Sequence, residues 1–136
     1  FRFVAFVGVK KEDQLAHDRL SYTAQDLFSP TAFPRIKLDN YVEYFLEEFR
    51  PYKKGELDTF GAKDRSGIPR DQDMELLREG DYMDVYFFSP PTRVLGWFEI
   101  VRTVDGKIPS RENLKWLECF AQVAGRIAYE MERRKR

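Results

Sequence analysis

The sequence is poor in the residues that form disulfides and zinc sites. Its 136 residues include one cysteine, Cys119, and one histidine, His17. A lone cysteine cannot form a disulfide within the chain, and a standard zinc site takes about four protein ligands, more than this pair supplies. The sequence therefore excludes a disulfide-stapled fold and a standard structural zinc site. The low numbers of cysteine and histidine also fit a cytoplasmic location.

Net charge and long apolar runs are also missing. The 23 Lys and Arg residues balance 23 Asp and Glu residues, whereas a protein that binds nucleic-acid phosphates needs a basic surface. The longest apolar run, Phe3–Val9, is far shorter than the roughly 18 residues of a membrane span, and the sequence does not open with a signal peptide. We therefore expect no nucleic-acid partner, no membrane contact and no secretion.

What the chain does contain is enough apolar material for one core. Hydrophobic residues make up 43% of the sequence and aromatic residues 15%, and this length predicts a single domain over residues 1–136 rather than a disordered chain. The sequence begins at Phe1, inside an apolar run and without a methionine. We interpret it as a piece of a longer polypeptide, whose other domains would be its partners.

In the first part of the chain, the patterns predict a hairpin followed by a helix. Phe1–Val9 is apolar without polar alternation, which is typical of a strand covered on both faces. Lys10–Gln14 would turn the chain and Leu15–Thr23 would return as a strand nearer an edge. Asp26–Pro34 is predicted as a loop, and Asp39–Arg50 as a helix with a capping aspartate and one apolar stripe.

Further along, the sequence predicts a second hairpin. Glu56–Lys63 is a candidate short strand, and Gln72–Arg78 a candidate for one or two helical turns. Met83–Phe88 and Val94–Val101 are rich in β-branched and aromatic residues and are joined by a proline-rich turn, which favours two paired strands. After a turn at Asp105-Gly106, the chain is expected to enter a long final helix.

The final helix is predicted to be capped by Ser110 and to bury an apolar stripe against the sheet. The stripe comprises Leu114, Leu117, Phe120, Ala121, Ala124, Ile127, Ala128 and Met131. Of these, Leu117, Phe120, Ala124 and Ile127 are expected among the most buried residues. Some members also follow the roughly seven-residue rhythm of a dimer seam, which leaves a homodimer through this helix open. Together the elements predict an α+β domain, with a central antiparallel sheet and helices on both faces.

The sequence shows none of the common catalytic motifs. It has no phosphate-binding loop, no G-x-S-x-G elbow, no paired histidine motif and no Cys-x-x-Cys motif, so we expect no catalytic activity. Cys119 is expected to be a small core residue rather than a reactive thiol. His17 is expected on an edge strand, at the surface or half-buried.

A small-molecule site is predicted on the sheet face opposite the final helix, because that helix must cover the other face. The helix predicted at Asp39–Arg50 would be the cover over this site. Asp84 and Tyr86 share one face of their strand by its period of two. The candidate lining residues are Tyr41, Tyr44, Phe60, Asp84, Tyr86 and Phe98.

Several C-terminal motifs resemble those at the end of GAF domains, in particular GAF domains of archaeal and bacterial sensor histidine kinases. They are Gly80-Asp81, Leu95-Gly96, the turn over residues 104–112 (VDGKIPSRE) and the helix segment 117–124 (LECFAQVA). The resemblance spans about residues 35–130 and is most specific in its second half. It implies a PAS-like antiparallel sheet, a helical layer on one face and a ligand cavity under the other. It also implies a sensory domain of a two-component system, with the first helix of the family missing from this chain.

Departures from the family pattern leave other functions open. Val85-Tyr-Phe-Phe88 is bulkier than the usual segment and could fill the cavity, which favours a ligand-free dimerisation or interdomain packing module as an alternative. A haem-binding sensor with Cys119 or His17 as iron ligand is a further alternative. The residues that mark bilin-binding, cyclic-nucleotide-binding and methionine sulfoxide reductase members are not found, so no cofactor is assigned.

Overall fold

A computed structural model of the chain describes residues 1–28, 35–46, 76–78, 80–89 and 93–135. Within this part, short helices precede a sheet, and a long helix follows it. The elements are α1 (Lys11–His17), α2 (Ala24–Phe28), β1 (Arg35–Asp39), β2 (Val42–Phe45), β3 (Tyr82–Ser89), β4 (Arg93–Ile100) and α3 (Arg111–Arg134). Among the described residues, none of the helices is long and apolar enough to cross a membrane.

The strands form a four-stranded antiparallel sheet in the order β1-β2-β3-β4. The predicted second hairpin is confirmed, since β3 and β4 pair from Met83↔Ile100 to Ser89↔Arg93, with a register shift between Phe87 and Phe88. An antiparallel sheet combined with helices confirms the predicted α+β class.

The main core lies between one face of the sheet and α3, and we call this side of the sheet the helix face. Residues paired across antiparallel strands point to the same side of a sheet, so the pairs Val42↔Val85 and Tyr44↔Met83 mark the helix face on β2 and β3. The buried side chains of this core are Val42, Tyr44, Leu46, Met83, Val85, Leu114 and Ala121.

A glycine allows α3 to approach β3 at backbone distance. A Cβ atom added at Gly125 would lie 3.0 Å from the Phe88 carbonyl oxygen and 3.2 Å from the Phe88 nitrogen. Gly96, in contrast, makes room for an aromatic ring, since a Cβ there would lie 2.6 Å from the ring of Phe87. The close approach of helix to sheet therefore depends on the glycine of the helix.

The turn and cap before α3 are confirmed. Gly106 has a φ of 70°, a left-handed conformation that favours glycine. The Asp105 carboxylate accepts a hydrogen bond from the Lys107 N–H at 3.1 Å, and bonds to backbone N–H groups hold the pKa of Asp105 below its ordinary value. The Ser110 hydroxyl then accepts the N–H of Asn113 at 3.3 Å and caps the helix.

The predicted first hairpin is wrong. Phe1–Val9 forms no strand, and Val4 and Val7 are 93% and 97% exposed. The segment predicted to turn and return as a strand instead contains α1, whose acidic first turn complements the helix dipole. α2 likewise occupies the start of the loop predicted at Asp26–Pro34, of which residues 29–34 lie outside the described residues.

The helix predicted at Asp39–Arg50 is also wrong, because β1 ends and β2 begins within this range. Asp39 does not cap a helix, since its carboxylate accepts the N–H of Asn40 at 2.9 Å and stabilises a turn. Residues 47–50 and the strand predicted at Glu56–Lys63 lie outside the described residues. Most of Gln72–Arg78 does too, and its described end forms an isolated bridge between Leu76 and Lys107.

The apolar stripe of α3 divides into two faces rather than one. Leu114, Ala121 and Gly125 are buried against the sheet, whereas Phe120 and Ile127, expected in the core, are 65% and 57% exposed. That expectation is wrong because the stripe is broader than the contact with the sheet, which Leu114 and the small residues Ala121 and Gly125 occupy. We call the exposed apolar side the outer face: it comprises Trp116, Phe120, Val123, Ile127 and Met131.

This division predicts opposite effects for two truncations in α3. Replacing Leu114 with Ala should lower the free energy of unfolding by about 2–5 kcal/mol, because it leaves a cavity in the core. Replacing Phe120 with Ala should change it by less than about 1 kcal/mol, because its ring is exposed. Urea denaturation at low protein concentration measures both, and equal losses for the two variants would contradict the assigned faces.

Candidate functional site

The sheet face opposite α3, which we call the polar face, carries a row of carboxylates. Glu43 on β2 pairs with Asp84 on β3, and Asp84 pairs with Glu99 on β4. Because paired residues share a face, these side chains form a row across adjacent strands. Tyr86 and Trp97 pair in the neighbouring row on the same face.

Hydrogen bonds and electrostatic interactions connect part of this face into a network. Arg35 donates to the Glu43 carboxylate at 2.9 Å, and the Tyr86 hydroxyl donates to the Asp84 carboxylate at 3.4 Å. The side chains of Arg35 and Glu43 also lie close enough to Tyr86 to interact with it electrostatically. We call Arg35, Glu43, Asp84 and Tyr86 the polar network. Asp84 and Tyr86 are buried, so the network lies within the folded domain.

The electrostatics of the network keep Tyr86 protonated. Burial raises the pKa of Tyr86 far above its ordinary value of 10.0, and the negative charges of Asp84 and Glu43 raise it further. Burial lowers the pKa of Arg35, but the hydrogen bond and charge of Glu43 outweigh it and leave that pKa above its usual value. The network therefore combines a permanent cation, a neutral phenol donor and carboxylate acceptors.

Aromatic residues from the N-terminal part of the chain pack beside the network. The ring of Phe28, at the end of α2, lies 6.0 Å from that of Tyr86, and the ring of Phe1 lies 5.3 Å from that of Trp97. The cover on the polar face therefore includes α2 and Phe1, where the sequence predicted the helix at Asp39–Arg50.

Of the predicted lining residues, the structure brings Asp84 and Tyr86 together in the polar network. Tyr44 lies on the helix face and its hydroxyl donates to Asp81. Tyr41 is exposed in the turn between β1 and β2, and Phe98 is exposed on β4, where it pairs with Val85 of the helix face. Phe60 lies outside the described residues.

Sequence reasoning missed Arg35 and Glu43, and the signal that could have found them is the strand period. In a hairpin over residues 35–45, Arg35 and Glu43 fall on the face opposite Tyr44. Glu43 then enters the row of Asp84. The apolar residues of this segment also fit the helical period, and that fit favoured the wrong prediction of a helix over the strand alternation.

His17 and Cys119 lie on different elements. His17, expected near the surface, is buried at the end of α1, with its Nδ1 atom 2.8 Å from the Asp13 carbonyl oxygen and its ring 4.7 Å from that of Phe3. Cys119, expected in the core, is exposed on α3. Among the described residues, no group of three or more His, Cys, Asp and Glu side chains could hold a metal ion.

Chemically, the polar face is a hydrogen-bonding surface flanked by aromatic rings. Carboxylates accept, a guanidinium and a phenol donate, and Trp97 and Phe28 provide apolar contact nearby. Such a combination of convergent polar groups with aromatic walls suits the binding of a small polar molecule.

The raised pKa of Tyr86 predicts a loss of stability at high pH. The folded protein holds this proton more tightly than the unfolded chain, so the stabilisation is complete below pH 10.0, the ordinary pKa, and is lost as the pH rises above it. Replacing Tyr86 with Phe should cost about 0.5–1.5 kcal/mol at neutral pH and should reduce the alkaline loss. Urea denaturation at stepped pH tests this, and an identical alkaline slope in both proteins would contradict it.

Comparison of the chain with family models, with curated proteins and with solved structures finds no match. The assignment of a function therefore depends on the geometry of the described residues and on the motifs of the sequence.

Proposed function

We propose that this chain is a non-catalytic sensory module of the GAF type within a larger signalling protein such as a sensor histidine kinase. In this proposal the polar face receives a small molecule, and α3 passes the response to a neighbouring domain of the same polypeptide. The C-terminal motifs support the family, and the arrangement of β3 supports the mechanism.

The observation that carries the proposal is that β3 serves both faces of the sheet. Asp84 and Tyr86 point into the polar network, whereas Met83, Val85 and Phe87 pack in the core beneath α3. A shift of Asp84 or Tyr86 in the network would therefore displace β3. The alternate residues of β3 support α3, so the displacement would reach the helix. Because interiors are closely packed, such a displacement cannot be absorbed locally.

The coupling between strand and helix is tight at Gly125. The backbone of Phe88 would meet even a single added methyl group there, so α3 follows β3 with little free space. A ligand that binds better to one arrangement of the network would shift the population of α3 positions toward the arrangement that matches it.

This proposal predicts that a change confined to the network alters α3. In the Tyr86→Phe variant, the amide NMR signals of residues 121–125 on α3 should shift, because the hydroxyl contacts in the network are lost while the ring remains. Tyr22→Phe is the matched control, since Tyr22 is a buried tyrosine that packs near Phe3 in the N-terminal part. We call this transmission from the polar network through β3 to α3 the relay. Absence of any shift on α3 in Tyr86→Phe would contradict the relay.

The outer face of α3 favours a second candidate function, that of a dimerisation module. Its apolar residues recur at steps of three and four positions, the spacing of a helix that packs against another helix. Beside the outer face, α3 has a polar flank, which we define as Gln122, Arg126 and Glu130. It bears the ion pair Arg126–Glu130 at 2.9 Å. We propose a second copy of this chain as the occupant. α3 has 24 residues and is about 36 Å long, enough for several helical turns of contact.

Self-association should therefore depend on the outer face and not on the polar flank. Phe120→Glu should weaken the dimer at least about tenfold, because a charge would be buried in an apolar contact. Gln122→Glu places the same charge on the polar flank and should leave self-association unchanged. Analytical ultracentrifugation measures both variants, and a spin label on Cys119, the only cysteine, reports the distance between copies.

A wild-type chain that stays monomeric at all concentrations would overturn the second copy as the occupant. Dissociation by Gln122→Glu as well as by Phe120→Glu would place the contact elsewhere.

A further inference from the structure

The turn between β1 and β2 contacts both the final helix and the central strand. The backbone N–H of Tyr41 donates to the Glu118 carboxylate of α3 at 2.6 Å. The carbonyl oxygen of the same residue accepts the backbone N–H of Tyr86 at 2.9 Å. One peptide segment therefore bridges an acidic side chain on the helix and the strand residue whose hydroxyl enters the polar network.

The position of this turn is fixed by the sheet. Val42 pairs with Val85, so the bond from Tyr86 to Tyr41 continues the antiparallel ladder by one residue beyond β2. The ring of Tyr41 also lies 5.1 Å from that of Phe88. The turn is thus an extension of the sheet, and it moves with β3 at Tyr86.

The bond to Glu118 is the attachment of α3 to this turn. A carboxylate that accepts a backbone N–H forms a charge-assisted hydrogen bond, which is stronger than a neutral one. Nearer the C-terminus of α3, Glu132 forms an ion pair with Arg93 at the start of β4. The side chains of Arg93 and Glu132 are 57% and 39% exposed, and ion pairs at the surface contribute little to stability.

We propose that Glu118 is a positioning residue that acts with Tyr41 as a latch, tying the position of α3 to that of Tyr86 in the polar network. The latch deepens the proposed sensory function and rests on it, because it names the contact through which the network sets the position of the output helix. It also gives Tyr86 two roles, one through its hydroxyl and one through its backbone N–H.

Amide hydrogen exchange tests the latch itself. In Glu118→Ala, exchange at the Tyr41 amide should become at least about tenfold faster, because its acceptor is gone. Glu118→Gln keeps an acceptor oxygen without the charge and should stay within about threefold of wild type. Glu132→Ala, the matched control at the other end of α3, should leave the Tyr41 amide unchanged. Unchanged exchange in Glu118→Ala, or equal acceleration of all amides, would overturn the latch.

A second measurement tests whether the latch transmits the change. Tyr86→Phe is made in wild type, in Glu118→Ala and in Glu132→Ala, and the shift of the amide signals of residues 117–121 is compared. The latch predicts that Glu118→Ala reduces this shift by about half or more, while Glu132→Ala preserves it, because coupled residues are non-additive and independent ones are additive.

The outcomes separate the latch from the function that it serves. A shift of equal size in all backgrounds would overturn the latch while leaving the relay through Gly125 intact. A shift absent from wild type would overturn the relay, and with it the transmitting role of the latch.

Discussion

The packing of β3 between two chemically different layers is the constraint on which the rest of this domain depends. One set of alternating side chains must fit an apolar helix, and the other must satisfy buried polar groups. Polar groups without partners would be costly inside the domain; Tyr86 donates to Asp84, and the strand register places Glu43, which is bonded to Arg35, beside that pair.

The parts of the fold that could be predicted from sequence are those specified by local chemistry. Ser110 can cap only the helix that follows it, Gly106 tolerates the left-handed turn, and the β-branched and aromatic residues of β3 and β4 favour extended chain. These signals act over a few residues and do not depend on distant neighbours, so the hairpin and the final helix were predicted close to their observed bounds.

The parts that could not be predicted are decided by distant partners. Val42, Tyr44 and Leu46 alternate as a strand, while Leu38, Val42 and Phe45 also fit a helical stripe, and pairing with β3 favours the strand. In the candidate site, Asp84 and Tyr86 follow from the strand period, whereas Arg35 and Glu43 require the register between strands. The burial of Gly125 has no local signal at all, because a glycine in a helix is locally unfavourable and is explained only by the backbone that it meets.

The backbone contact at Gly125 also determines how α3 can move. Glu118 and Glu132 lie at equal distances on either side of it along the helix, about 10 Å each way at the rise of an α-helix. If the proposed latch operates, Gly125 acts as a fulcrum midway between these two contacts. On that proposal, we expect a small displacement of α3 beside Tyr41 to be accompanied by a displacement of similar size, in the opposite direction, near Arg93.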